Sequence, residues 1–289
     1  MISHLKMDPV IKQALNEDIT TYDISSQAIF KNHQMASIEL LSKDTGILAG
    51  LPVFQRTFEV LSPKSNLTFK WFKKEGDKIQ PGELICLLTG PVQVLLTGER
   101  VALNFLQALS GIAAATYALA APLAKAGIKV LDTRKTTPGL RYLEKYAVRV
   151  GGGYNHRYNL SDMIMLKDNH IAAAGGIGEA VRKARSIDPF IHKIEVECES
   201  LEMVEEAVKH QADIIMLDNF SIEDIDQALA IIDGEAVVEC SGNINAENVH
   251  RYADRAIDYV SSGAITHSAG IVDLSMKNLV IKDNHLNMI

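Results

Sequence analysis

The sequence predicts an α/β protein in two parts, and three observations lead there. Up to about residue 112, helical spacing and strand-like alternation are mixed. From about residue 128, short apolar runs of strand character alternate with amphipathic helical stretches, the pattern of parallel strands joined by crossover helices. The apolar runs of this second part also end, one after another, in polar residues able to bind or react. At 289 residues the chain can hold one large domain or two ordinary ones.

In chain order, helical patterning comes first, at residues 8–16, followed by period-two alternation at 36–41 and 67–72. The run Glu75-Gly76-Asp77-Lys78-Ile79-Gln80-Pro81-Gly82 reads as turns between β segments. Residues 99–109 carry Val101, Leu103, Phe105, Leu106 and Leu109 at mostly helical spacing, with Gly111 just beyond. The second part offers strand candidates at 128–131, 163–166, 194–196, 214–217, 236–238 and 257–260. Between them, Leu201, Val204, Ala207 and Val208 share one helical face while Glu202, Glu205, Glu206 and Lys209 point away, and residues 222–232 are built the same way. Parallel strands of this number suit either a barrel-like closure or an open doubly wound sheet. The absence of GxGxxG after the first strand counts against the dinucleotide-binding form of the latter.

Composition sets the class. Hydrophobic residues make up 47% and charged residues 22%, a folded globular profile. The net charge of −7 argues against a nucleic-acid or membrane surface, and no apolar run reaches the length of a span. An anionic substrate would need a locally basic pocket within an acidic shell. Cys86, Cys198 and Cys240 are far apart and form no CxxC pair, so a disulfide framework or cysteine zinc site is not expected. The first residues lack a secretory pattern. A cytoplasmic location is the expectation.

The chemistry is concentrated at the strand ends. Asp132-Thr133-Arg134-Lys135-Thr136-Thr137-Pro138-Gly139 sets two adjacent cations among three hydroxyls; arginine offers a planar fork for carboxylate or phosphate, lysine a compact charge. Gly151-Gly152-Gly153 lets the backbone approach a ligand or another chain closely, and His156-Arg157 adds donors for an anion. Each stretch could also be a solvated loop. Glu197 and Asp218 end neighbouring strands, as hard oxygen ligands that hold Mg²⁺ beside phosphates, or as partners of Arg134 or Lys167 in a structural ion network. His170 reads equally as a loop residue or a site residue. Ser241-Gly242-Asn243 and Ser262-Gly263-Ala264-Ile265-Thr266-His267 end the last two strands, where small residues can turn backbone N–H groups towards a phosphate. A hydrolytic role for Ser241 is disfavoured, because Glu239 stands where a GxSxG elbow needs glycine. The Lys-Asp-Asn-His of 167–170 recurs at Lys282-Asp283-Asn284-His285 without strand–helix context, and is read as coincidence.

Thr97-Gly98-Glu99-Arg100-Val101-Ala102-Leu103-Asn104-Phe105-Leu106-Gln107, followed by Ser110-Gly111-Ile112-Ala113, resembles the quinolinate phosphoribosyltransferase family (nicotinate-nucleotide pyrophosphorylase, carboxylating). So do 132–141, Glu144-Lys145-Tyr146-Ala147, 151–162, 166–170, 195–197, 216–219, 239–242 and 262–267, in order across essentially the whole chain. Ala114 departs from the family's run, which has Thr there. The resemblance implies an α/β fold: an N-terminal α/β sandwich domain at 1–112, with 270–289 packing back on it, then an incomplete (open) α/β barrel of the type II phosphoribosyltransferase kind at 113–269. It implies a homodimer with each site shared between subunits, or a higher oligomer. It also implies the conversion of quinolinate and phosphoribosyl pyrophosphate to nicotinate mononucleotide, CO₂ and pyrophosphate, a step of NAD biosynthesis.

By the same resemblance, Arg134, His156, Arg157 and Lys167 bind the two carboxylates of quinolinate, and Arg100 reaches the other subunit's pocket. Lys135, Glu197, Asp218, Ser241, Gly242 and Gly263 hold phosphoribosyl pyrophosphate, the carboxylates through Mg²⁺, with Thr133, Asn243, Ser262, Ala264 and His267 completing the substrate-binding set. Lys135, Lys167, Glu197 and Asp218 are the expected catalytic residues. Two other readings fit a basic pocket: a related phosphoribosyltransferase acting on nicotinate, and a non-catalytic barrel that binds an anionic metabolite. The first is disfavoured by a set of cations suited to two carboxylates. The second leaves Glu197 and Asp218 without a role.

Overall fold

The computed structural model describes residues 2–282 apart from 32, 33 and 65; the part of the 270–289 expectation beyond 282, and most of the repeated Lys-Asp-Asn-His, lie outside the described residues. In chain order the elements are α1 (His4–Asp18), α2 (Ile24–Ile29), β1 (Met35–Ser42), β2 (Gly46–Ile47), α3 (Leu51–Leu61), β3 (Thr68–Trp71), β4 (Lys78–Ile79), β5 (Leu84–Pro91) and α4 (Val92–Leu123). They continue with β6 (Lys129–Leu131), α5 (Arg141–Val150), β7 (Ile164–Leu166), α6 (Asp168–Ala174), α7 (Ile177–Ile187), β8 (Ile194–Cys198) and α8 (Leu201–Lys209). The last are β9 (Ile214–Asp218), α9 (Ile222–Ile232), β10 (Val237–Ser241), β11 (Tyr259–Ser261), α10 (Ala264–His267) and β12 (Leu274–Lys282). Of the described residues, those of 1–115, 137–151 and 269–289 form one compact unit, and those of 116–136 and 152–268 form a second. The sequence reading had drawn 113–269 as one continuous stretch.

The first unit is built on an antiparallel sheet in the order β12-β1-β5-β3, with β2 and β4 paired beside it. Period-two burial of Ala36, Ile38, Leu40 and Ser42 along β1 turns one face inward. There Ile38, Leu40, Ile85 and Leu88 meet Phe54 and Phe58 of α3 and Leu95, Leu103 and Leu106 of α4. Phe54 packs edge-on against Phe58 with ring centres 5.3 Å apart, a geometry that adds to the burial of apolar area.

Helix α4 runs on through Gly111, beyond the helix-spaced run at 99–109. The glycine sits inside the helix rather than stopping it. A Cβ there would lie 2.8 Å from the carbonyl carbon of Gly270 and 3.0 Å from Ile271 Cα, so glycine is needed for close backbone approach, not for termination. Residues Val92–Ala126 are long and apolar enough to cross a membrane by composition, with a mean hydropathy of 1.3, and 56% of that window is buried inside the protein. Core packing accounts for the apolarity.

The second unit contains all six expected strands, parallel, in the order β6-β11-β10-β9-β8-β7. From β7 to β11 each new strand adds on the same side of the last. A doubly wound sheet would reverse direction part-way, so this winding belongs to a barrel, and the α/β fold is the open-barrel one. The edges are β7 and β6. Beyond β6, among the described residues, Tyr154 alone continues the sheet, through a parallel bridge to Leu131. Helices α8 and α9 begin at Ser200 and Ser221, whose hydroxyls accept from the backbone N–H of Met203 and Asp224 at 3.4 and 3.1 Å, the usual N-cap bond.

Candidate active site

Strand pairing sets the rows of the site. Glu197 of β8 lies level with Met216 of β9, Met216 with Glu239 of β10, and Glu239 with Tyr259 of β11. Two residues further along, Asp218 is level with Ser241. Because side chains alternate along a strand, Glu195 and Glu197 point to the same side of β8.

Two adjoining cavities within the second unit take up the expected residues. One, of about 420 Å³, is lined by Thr133, Arg134, Lys135, His156, Arg157, Lys167, Glu197, Asp218 and Ser241, and also by Met165, Met216, Glu239 and Ser261. The other, of about 400 Å³, shares Thr133, Lys135, Asp218 and Ser241 and adds Gly242, Asn243, Ser262, Gly263, Ala264 and His267. Arg100 lines neither; it belongs to the first unit, in a cavity of about 420 Å³ with Asn104, Thr137 and Gly139.

The cationic wall of the first cavity is held from behind. Asp132 is fully buried, and its carboxylate accepts from the backbone N–H of His156 at 2.9 Å and from the Asn155 side-chain amide at 2.6 Å. Arg157 donates from its guanidinium to Met163 O at 3.2 Å. Partial burial pulls the Arg157 pKa down, and the neighbouring Arg134 charge pulls it further. Two guanidiniums close enough to repel make a site that an anion stabilises. On the opposite wall Lys167 pairs with Glu197, so the ion-network reading of Glu197 holds for that lysine. His170 is accounted for by local structure: its Nδ1 accepts from the backbone N–H of Lys167 at 3.1 Å, at the start of α6.

The second cavity is shaped by tight turns. Asn219, Gly242 and Asn243 all have positive φ, at 57°, 101° and 50°. Asn219 donates to Asp218 Oδ2 at 2.8 Å and accepts from Asn243 Nδ2 at 3.2 Å, so the β9 and β10 loops brace one another and hold the Asp218 carboxylate. Thr266 Oγ1 donates to Lys135 O at 2.7 Å, tying the cationic loop to α10. Glu197, Glu199 and Asp218 bring carboxylate oxygens within 4.8 Å of one another, a spacing and a hard-donor set that fit a divalent cation.

Sequence reasoning missed two buried carboxylates beside His156, one of which, Glu239, lines the first cavity. Glu195 and Glu239 are 0% and 2% exposed, and His156 Nε2 stands 3.1 Å from Glu195 Oε2 and 3.6 Å from Glu239 Oε2. Burial, and then the Glu195 charge, raise the Glu239 pKa, against the opposing pull of His156. A signal was present in Ile194-Glu195-Val196-Glu197 and Val237-Val238-Glu239-Cys240: acidic residues inside apolar strands are costly unless a site uses them. Asn219 was likewise passed over.

Comparison with known proteins agrees with the geometry. Residues 23–110 match the N-terminal domain of quinolinate phosphoribosyl transferase, and residues 112–277 its C-terminal domain. A probable nicotinate-nucleotide pyrophosphorylase (carboxylating) of Bacillus subtilis is 43% identical over 275 residues, 95% of this chain and 94% of that protein. The human nicotinate-nucleotide pyrophosphorylase (carboxylating) is 42% identical over 243 residues, 82% of this chain and 80% of that one. The crystal structure of NadC from Streptococcus pyogenes superposes with a TM-score of 0.94 at 52% identity, covering 98% of this chain and 99% of that one.

Proposed function

The chain belongs to the quinolinate phosphoribosyltransferase family, and from that premise we propose how its residues divide the work of the reaction. The enzyme transfers the phosphoribosyl group of phosphoribosyl pyrophosphate to quinolinate, giving nicotinate mononucleotide, CO₂ and pyrophosphate for NAD biosynthesis. The observation that carries the division of labour is the pair of adjoining cavities, one walled by Arg134, Arg157 and Lys167, the other by Lys135, Asp218 and the late loops.

The first cavity takes the pyridine dicarboxylate. Unpaired carboxylates would pay a desolvation cost of many kcal/mol, which Arg134, Arg157 and Lys167 offset. These cations fix the ring so that its nitrogen faces the ribose carbon. The second cavity takes the phosphates, with Lys135, His267 and the Ser241–Asn243 and Ser262–Ala264 loops as donors. Glu197 and Asp218 are suited to hold Mg²⁺, which when bound would supply positive charge against the phosphate oxygens. As the pyrophosphate leaves it gains charge, and Lys135 stabilises it. Once the ring nitrogen is quaternary, it stabilises the carbanion left by the adjacent carboxylate, so loss of CO₂ requires no dedicated base. Arg100 completes the pocket of a second subunit in a homodimer, and the protein works in the cytoplasm.

Purified protein supplied with quinolinate, phosphoribosyl pyrophosphate and Mg²⁺ should release CO₂ and form nicotinate mononucleotide, and chelation of the metal should abolish both. CO₂ release no higher than in a no-enzyme control would overturn the activity. Full activity in the presence of chelator would overturn the metal's part in it.

A further inference from the structure

His156 has both ring nitrogens engaged by the protein. Nδ1 accepts from the backbone N–H of Arg157 at 2.8 Å. A nitrogen that accepts carries its lone pair there, so the ring proton is on Nε2. Nε2 stands close to two buried carboxylates, 3.1 Å from Glu195 and 3.6 Å from Glu239, of which Glu239 lines the first cavity. Both carboxylates are closed off from water, and Glu195 Oε1 and Oε2 and Glu239 Oε1 find no aligned hydrogen-bond partner among the described residues. Such burial needs a hydrogen-bond donor or a shared proton among the three groups.

Two occupants fit such a gap. The three ligand atoms lie within 4.8 Å of one another, as around a metal ion. A histidine that binds metal through Nε2, however, normally carries its proton on Nδ1 and donates it to an outer acceptor. Here Nδ1 receives a hydrogen bond, which leaves Nε2 to carry the proton. The acceptor role of Nδ1 favours an imidazole N–H at Nε2 over a metal ion.

We propose that Glu195 and Glu239 are positioning residues for the pyridine-acid clamp: they hold His156 with its proton on Nε2, and His156 Nδ1 in turn fixes the backbone at Arg157. His156 then acts behind the clamp rather than as one of its fingers. Arg157 is held at two points, its backbone by His156 and its guanidinium by Met163 O, which sets the fork against the neighbouring charge of Arg134. This rests on the reading that Arg157 binds quinolinate, and it deepens that reading by naming what orients the arginine.

The test has a spectroscopic arm and a kinetic arm. Long-range ¹H–¹⁵N spectra of histidine-labelled protein, with the His156 signal assigned through His156→Gln, should show a protonated Nε2 and an acceptor Nδ1. Glu195→Gln keeps an acceptor and should leave KM for quinolinate within about threefold of the wild type. Glu195→Met removes it and should raise that KM about tenfold (~1.4 kcal/mol), with KM for phosphoribosyl pyrophosphate within about twofold. Proton on Nδ1 in the wild type, or a stoichiometric metal bound to His156, overturns the proposal. So does a Glu195→Met enzyme with unchanged KM for quinolinate, or with both KM values raised alike, the mark of a merely structural role. If Glu195→Met fails to fold, the spectra of the wild type decide. They also decide if no quinolinate is turned over, an outcome that removes the functional reading without touching the tautomer.

Discussion

Substituting Gly242 by alanine adds one methyl group at the point where the β9 and β10 loops brace each other. The backbone there has φ of +101°, a region L side chains rarely adopt, which costs roughly 1–3 kcal/mol. The new Cβ would lie 2.6 Å from Asn219 Cγ and 2.7 Å from its backbone nitrogen, so Asn219 must move. Its hydrogen bonds to Asp218 at 2.8 Å and from Asn243 at 3.2 Å are then lost or weakened, at about 0.5–1.5 kcal/mol each. Together these give a destabilisation of about 2–6 kcal/mol, or roughly 4–24 °C in Tm at about 2–4 °C per kcal/mol. Asp218 loses its brace, so KM for phosphoribosyl pyrophosphate should rise at least about tenfold while affinity for quinolinate holds. Calorimetry and initial rates with each substrate varied would measure both effects. Placing Asn219→Gly in the Gly242→Ala background should recover part of the stability, since glycine accepts the φ of 57° at 219 and removes the colliding side chain. A Gly242→Ala enzyme with wild-type Tm and wild-type KM for phosphoribosyl pyrophosphate would refute this account of the turn.

Glu239 gives a pH signature. Its pKa is raised above the ordinary value of 4.5 by burial and by Glu195, so above that value the native state binds more protons than the unfolded one, and stability falls as pH rises through the window. Glu239→Gln should remove that slope: urea unfolding should show the variant gaining on the wild type between about pH 4.5 and about 7, and parallel curves would argue against a raised pKa. The three cysteines are buried and unpaired, and burial pushes each thiol up to about 12. A disulfide reagent at about pH 8 should therefore label none of them in the native protein and all of them in denaturant; rapid native labelling of any one would contradict the packing.

Much of the frame could be read directly from the chain. The six strand candidates from 128 onward all became parallel strands, because an apolar run of this length between amphipathic helices has few other ways to be buried. Their polar terminal residues came together around two cavities, since strand ends of one winding face the same side. Residue type alone separated arginine forks in one place from small loop residues in another; the dicarboxylate and phosphate roles proposed for them came with the family resemblance.

Other features depended on contacts distant in sequence. Gly111 has no evident role in one dimension, and the approach of Gly270 explains it as a packing glycine. Barrel against doubly wound sheet was undecidable from local pattern, because both bury the same strands; strand order decided it. The clearest case is the set of basic residues lining the first cavity. Arg134, His156, Arg157 and Lys167 announce an anion site by their chemistry, so the sequence determined what the pocket attracts. What holds them in place, Asp132 beneath the 155–157 segment and Glu195 with Glu239 behind His156, depends on burial. The cost or usefulness of a buried carboxylate is set by its neighbours in space, and only the tertiary structure supplies those.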